Sequence, residues 1–124
     1  MRNAAGETDE KTAGVDLLRF FRGLIVSGRL GAGDRLPTVR QAAADFAVAP
    51  GTVQRAYKAL EAEGLVHSRV GSGTRVADGV SPMTSEMTRQ VDALVAAVSA
   101  SGGDIEAVVD VLRMKWEERA PDSR

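Results

Sequence analysis

Along the first half of the chain, apolar positions recur at helical spacing and then switch to the alternation of strands. Leu17, Leu18, Phe21, Leu24 and Ile25 form one stripe. That period predicts a helix over residues 15–26, with Arg19 and Arg22 turned away from the stripe. The following SGRLGAGDRLP is too rich in glycine and proline to continue it. Leu30 and Leu36 are its large apolar anchors, and a very short strand near residues 34–36 fits. Thr38 and Gln41 have the T-x-x-Q spacing of a capping box, which opens a second helix. Val39, Ala43 and Phe46 give that helix a short inward face. Pro50 disfavours helical geometry just before it and suits the first position of a third helix. In TVQRAYKALEAEGL, residues 52–65, Val53, Ala56, Tyr57 and Leu60 recur on one face. Thr52, Gln54, Arg55 and Lys58 are assigned to the opposite side, and Gly64 stops the run. Residues 65–69 and 74–77 read as strands, with the turn Val70-Gly71-Ser72-Gly73 between them.

Two short helices joined by a few residues, with alanines where they touch, read as a helix-turn-helix. A hairpin directly after it makes a winged helix. The expected fold is mainly α: a winged helix-turn-helix DNA-binding domain at residues 13–78, followed by a linker at 79–85 and a two-helix dimerisation tail at 86–119. Residues 1–12 and 120–124 are expected to be flexible ends. Met87, Val91, Leu94, Val95 and Val98 mark one face of the first tail helix. Ile105, Val108, Val109, Leu112 and Trp116 mark the second, with Asp104 as its cap. Two helices of this length cannot form a stable unit alone, so they must pack on the winged helix, on a second copy of themselves, or on both. These ten residues are the candidate dimer interface where the partner is a second copy.

Composition alters the picture in two places. The absence of cysteine excludes disulfides, thiolate metal sites and a cysteine nucleophile. A single histidine leaves no recognisable acid–base set, so neither an enzyme, a cofactor nor a metal is expected. His67 reads as a strand surface residue. The net charge of −1 argues weakly against a nucleic-acid partner, but the distribution matters more. Residues 13–78 hold nine Lys and Arg against six Asp and Glu, and the acidic excess lies at the two ends. No apolar run reaches membrane-spanning length, and the polar N-terminus lacks a signal segment, so a cytoplasmic location is expected.

A helix-turn-helix presents the N-terminal part of its second helix to the major groove. Gln54 suits adenine, Arg55 suits guanine, and Thr52 suits a thymine methyl or a phosphate. Gly51 permits close backbone approach. Arg40 lies in the first turn of the preceding helix. The candidate DNA contacts are Thr38, Arg40, Gly51, Thr52, Gln54, Arg55 and Lys58, with Arg69, Val70, Gly71, Ser72 and Gly73 from the wing.

The ordered elements SGRL, GDRLP, TVQRAY, LEAEGL and GSGTRV resemble the DNA-binding domain of GntR-type bacterial transcription factors. The likeness covers residues 15–77. It implies DNA contacts from Arg40, Thr52, Gln54, Arg55 and the wing glycine Gly71. Two departures stand out. Ala49-Pro50-Gly51 replaces the polar cap and the arginine of many relatives, and Val70 stands where many carry Arg or His. Base specificity is therefore expected to fall on Gln54 and Arg55. The short tail is similar to that of the YtrA-like subgroup, which dimerises through two helices. That implies a homodimeric repressor on a palindromic operator, often of transporter genes, with a small-molecule effector left open.

Plainer readings exist for the same residues. The polar face of the third helix could simply be solvated, Arg40 could pair with Asp45, and Trp116 could do no more than pack. A winged-helix protein–protein interaction module without sequence-specific DNA binding is the alternative function. It would have no need of a basic recognition face.

Overall fold

The computed structural model describes the backbone of residues 4–119 and the side chains of residues 10–119. Five helices and one two-stranded sheet follow in the order α1 (Ala4–Val26), α2 (Val39–Phe46), α3 (Pro50–Ala62), β1 (Val66–Arg69), β2 (Gly73–Val76), α4 (Ser85–Ala100) and α5 (Ile105–Arg119). The chain divides into two compact units between Met83 and Thr84.

The first unit is a winged helix built on one aliphatic and aromatic core. Leu17, Phe21 and Ile25 of α1 meet Val53, Ala56, Tyr57 and Leu60 of α3, with Ala42 and Ala43 of α2 and Leu36, Val66 and Val76 from the wing side. Phe21 packs edge-on against both Phe20 and Tyr57. Phe46 was expected to face inward. It lies at the rim, 39% exposed, with its ring against Phe20 and Phe21. Ala42 takes the fully buried place instead.

α1 begins at Ala4, well before the expected start, so residues 4–12 are helical rather than a frayed end. Residues 1–3 and 120–124 lie outside the described residues. The sequence from Ala4 to Ala13 holds good helix formers and no proline, and α1 gains a partner in α3. Gly14 makes that approach close: a Cβ there would stand 3.4 Å from Thr52 Cγ2. At the other end, Arg22 forms a two-point ion pair with Glu63, Nε to Oε1 at 2.9 Å and Nη2 to Oε2 at 2.6 Å. This hydrogen-bonded pairing lowers the Glu63 pKa and raises that of Arg22. Both side chains are more than a third exposed, so water screens most of the gain.

The capping box at α2 is present, with Gln41 N donating to Thr38 Oγ1 and Thr38 N donating to Gln41 Oε1. α2 ends on Ala47, whose φ of 56° is left-handed. Ala47 and Val48 donate their amides to Ala43 O, closing the helix as glycine usually does. Pro50 opens α3 at its first position, and Ala49 gives no side-chain cap. The wing is an antiparallel hairpin in the register Val66↔Val76, His67↔Arg75, Ser68↔Thr74 and Arg69↔Gly73. Residues 33–36 lie along the free edge of β2: Leu36 N donates to Thr74 O and Val76 N to Asp34 O. This is the very short strand expected there, bridged at Arg35 and Arg75.

The segment expected as a linker is partly tied down. Val80 packs on the core, and Met83 N donates to Val26 O at 2.8 Å. The second unit starts with Thr84, whose hydroxyl caps α4 by accepting from Met87 N. Asp104 caps α5 as expected, accepting from Glu106 N. Neither helix buries a single residue within the unit.

Ala47 carries a left-handed backbone that costs an L-residue about 1–2 kcal/mol. It is exposed, so its methyl contributes little packing. Ala47→Gly is predicted to raise the unfolding free energy in urea by about 0.5–1 kcal/mol, after the greater freedom of glycine in the unfolded chain is subtracted. A loss of stability would contradict this.

Candidate nucleic-acid interface

The inner face of α3 is consumed by the core, and this decides which side chains are left to read anything. Val53, Ala56, Tyr57 and Leu60 are buried, whereas Gln54, Arg55 and Lys58 are exposed. Thr52 departs from the expected set. It is 2% exposed and faces α1, where its hydroxyl donates to the Glu10 carboxylate. Residues 52, 53, 56, 57 and 60 share one side at a period of 3.6, so Thr52 belongs to the buried stripe once α1 extends far enough to cover it. The candidate reading face is therefore Gly51, Gln54, Arg55 and Lys58. Arg55 folds toward the helix start, and its Nη1 lies 3.5 Å from where a Gly51 Cβ would stand.

Arg40 is exposed in the first turn of α2. The start of α2 is anchored to α3 by Tyr57, whose hydroxyl donates to Pro37 O at 2.7 Å. Burial pushes the Tyr57 phenol up to about 12, so it stays a neutral donor across the physiological range. Arg40 and the exposed face of α3 are thus held in one helix-turn-helix by a part-buried bond. Thr38 is exposed but occupied with its own helix as the N-cap.

At the wing tip Val70 is fully exposed, and Gly71 and Gly73 adopt φ of 82° and 77°. Those angles require glycine at little cost and make the turn tight. Ser72 accepts a bond from Arg75 Nε, while Arg75 Nη1 donates to Gly33 O at 2.9 Å. Arg75 is a brace between the wing and the preceding loop. Arg69 stays exposed at the end of β1, across from Gly73.

One basic residue of this region escaped the sequence reading. Arg35 is exposed, and its Nε lies 3.6 Å from where a Gly73 Cβ would be. Strand alternation was the available signal: Leu36 is buried, so Arg35 must face the other way. Arg35 and Arg69 therefore add charge beside the wing tip. His67 is half-buried in β1, and its Nδ1 has no hydrogen-bond partner among the described residues. Among the described residues there is no cluster of His, Asp or Glu that could hold a metal ion. No described helix is long and apolar enough to cross a membrane.

The family of bacterial regulatory proteins known as gntR matches residues 21–76, which run from the core of α1 to the end of β2. This segment is similar to the GntR family of regulators. The GntR match is supported by relatives from Bacillus subtilis. The uncharacterised HTH-type transcriptional regulator YhcF is 39% identical over 75 residues, covering 58% of this chain and 60% of YhcF. The HTH-type transcriptional repressor YtrA is 36% identical over 62 residues, covering 50% of this chain and 48% of YtrA. The chain thus spans only about half to three-fifths of the length of these relatives. The likeness is to GntR regulators of the YtrA-like kind. A solved transcriptional regulator from Oenococcus oeni superposes with a TM-score of 0.53 at 26% identity, covering 83% of this chain and 89% of its own. The DNA-binding domain of AraR, solved in complex with operator ORR3, superposes with a TM-score of 0.51 at 26% identity. That match covers 52% of this chain and 78% of the AraR domain.

Arg35 offers a direct check on the wing. Arg35→Ala is predicted to weaken binding to duplex DNA of any sequence alike, and to lower the slope of log affinity against log salt by about 1. Titration of the variant across ionic strength measures both. A change confined to one sequence, or no change, would contradict the assignment.

Proposed function

We propose that this chain is a sequence-specific repressor of transcription that binds a two-fold operator as a homodimer in the cytoplasm. The observation that carries the reading is the division of α3. Its apolar side is fully used by the core, and Gln54, Arg55 and Lys58 are left exposed beside an exposed Arg40. Gln and Arg are the side chains that make two-point bonds to adenine and guanine edges. Lys58, Arg69 and Arg35 suit phosphates, and the Val70–Gly73 turn suits close approach of the wing backbone. AraR and YtrA, by their names, act on an operator and as a repressor, and this supports the same use here.

The tail supplies the second half of the reading. Met87, Val91, Leu94, Val95, Ile105, Leu112 and Trp116 are exposed, Trp116 by 71%. Val98, Val108 and Val109 are half-buried. Val111 and Met114 extend the apolar surface beyond the face read from the sequence. Helices with this much uncovered apolar surface and no buried residue gain stability by pairing. A second copy of the same two helices gives a closed, symmetric solution. Two reading heads then engage successive major grooves, which is why the operator is proposed to be a palindrome.

Binding is predicted to fall steeply with salt. Gln54→Ala should change sequence preference, whereas Lys58→Ala should weaken all sequences alike. Selection of bound duplexes from a random pool, followed by fluorescence titration, checks this. Flat salt dependence would sink the reading. So would unaltered binding on neutralising Arg40 and Arg55, which a protein-interaction module would tolerate. A chain ending at Asp78 is predicted to be monomeric in analytical ultracentrifugation and to bind the operator far more weakly. A dimeric, fully active truncation would contradict the role given to α4 and α5.

A further inference from the structure

The contacts between α1 and α3 fix their relative direction. Glu10 meets Thr52 near the start of α3, and Arg22 meets Glu63 at its end. The two helices therefore run side by side in the same sense. α3 begins at Pro50, only two residues before Thr52, whereas α1 begins at Ala4. At 1.5 Å per residue, α1 continues about 9 Å past the level of Thr52, and α3 only about 3 Å. The first turns of α1 thus overhang the end of the recognition helix that faces DNA under the reading above. Residues 4–11 at the start of α1 hold three acidic residues against one lysine.

Glu10 stands level with Thr52, at the root of this extension. Its carboxylate bonds to Thr52, which is buried and stands in the first turn of α3. That turn has no side-chain cap from Ala49 and no acidic residue of its own. A helix start of this kind attracts negative charge, through its free amides and the positive end of the dipole. Glu10 supplies that charge from the neighbouring helix. Glu10, Lys11 and Arg55 line one cleft over the apolar floor of Val15, Leu18 and Ala56. The Glu10 carboxylate therefore shares its surroundings with the arginine proposed to read guanine.

We infer that Glu10 is a built-in competitor of the DNA backbone: a carboxylate held where a phosphate would otherwise approach the recognition helix. It stabilises the start of α3 in the free protein and repels the duplex from the same place. The effect is electrostatic and independent of base sequence. It holds down binding to DNA in general, and only contacts as strong as those from Arg40, Gln54 and Arg55 to a matched site overcome it. This inference rests on the DNA-binding reading.

The test uses the full chain and a random-sequence duplex, so no operator need be known. Glu10→Gln keeps an acceptor for the Thr52 hydroxyl and removes only the charge. It is expected to raise affinity at low salt by about three- to tenfold, with the gain shrinking as salt screens it. Glu10→Lys is expected to raise affinity further and to steepen the salt slope. Circular dichroism melts establish that each variant is folded. An unchanged or reduced affinity in the folded Gln variant would mean that Glu10 merely braces α1 on α3, and the inference falls while DNA binding stands. If neither the parent chain nor either variant binds duplex at low salt, the DNA-binding reading fails, and this inference fails with it.

Discussion

Everything exposed on this winged helix depends on how α3 is held. Val53 and Leu60 are completely buried, and Tyr57 ties the same helix to the start of α2 through Pro37 O. Rotating α3 about its axis would drag apolar side chains into water at roughly 1.5–3 kcal/mol for each large one. It would also break the part-buried Tyr57–Pro37 hydrogen bond, worth about 0.5–1.5 kcal/mol. The orientation of Gln54, Arg55 and Lys58 is therefore a by-product of core packing. A face set in this way is rigid before any ligand arrives, and that lowers the entropic cost of recognition.

The wing is joined to this core by a second set of constraints. Residues 33–36 pair with β2, Leu36 and Val76 are buried, and Arg75 braces the loop at Gly33. One surface of that small sheet is spent on the core. The other surface, with the turn at Val70–Gly73, carries Arg35 and Arg69. The same division of labour thus appears in helix and strand, with inward residues fixing position and outward ones offering charge. Glu10 of α1, on the inference drawn above, works against that charge.

Much of this was legible in the chain itself. The T-x-x-Q capping box, Pro50 as a helix opener and the apolar stripe of α3 are local signals, and the structure has all three. The reading was incomplete where a distant element decided the outcome. Thr52 reads as polar and outward until Glu10 and Gly14 of α1 are seen against it. Phe46 matches an inward period, yet it ends at the rim, because Ala42 occupies the space nearest the core. Arg35 sits in a segment too short for its alternation to stand out among glycines. Val111 and Met114 lie off the main stripe of α5, so a single-face reading passes over them. In each case the missing information was which other helix, strand or copy covers the residue.

The central claim is that the outward face of α3, with Arg40 and the wing, is where DNA sits. Amide hydrogen exchange of the full chain, compared with and without a selected duplex, tests it most directly. The account predicts that slowed exchange on adding DNA concentrates in residues 51–58, the first turn of α2 and the turn at 70–73. Slowing confined to α4 and α5, with α3 and the wing unchanged, would contradict it.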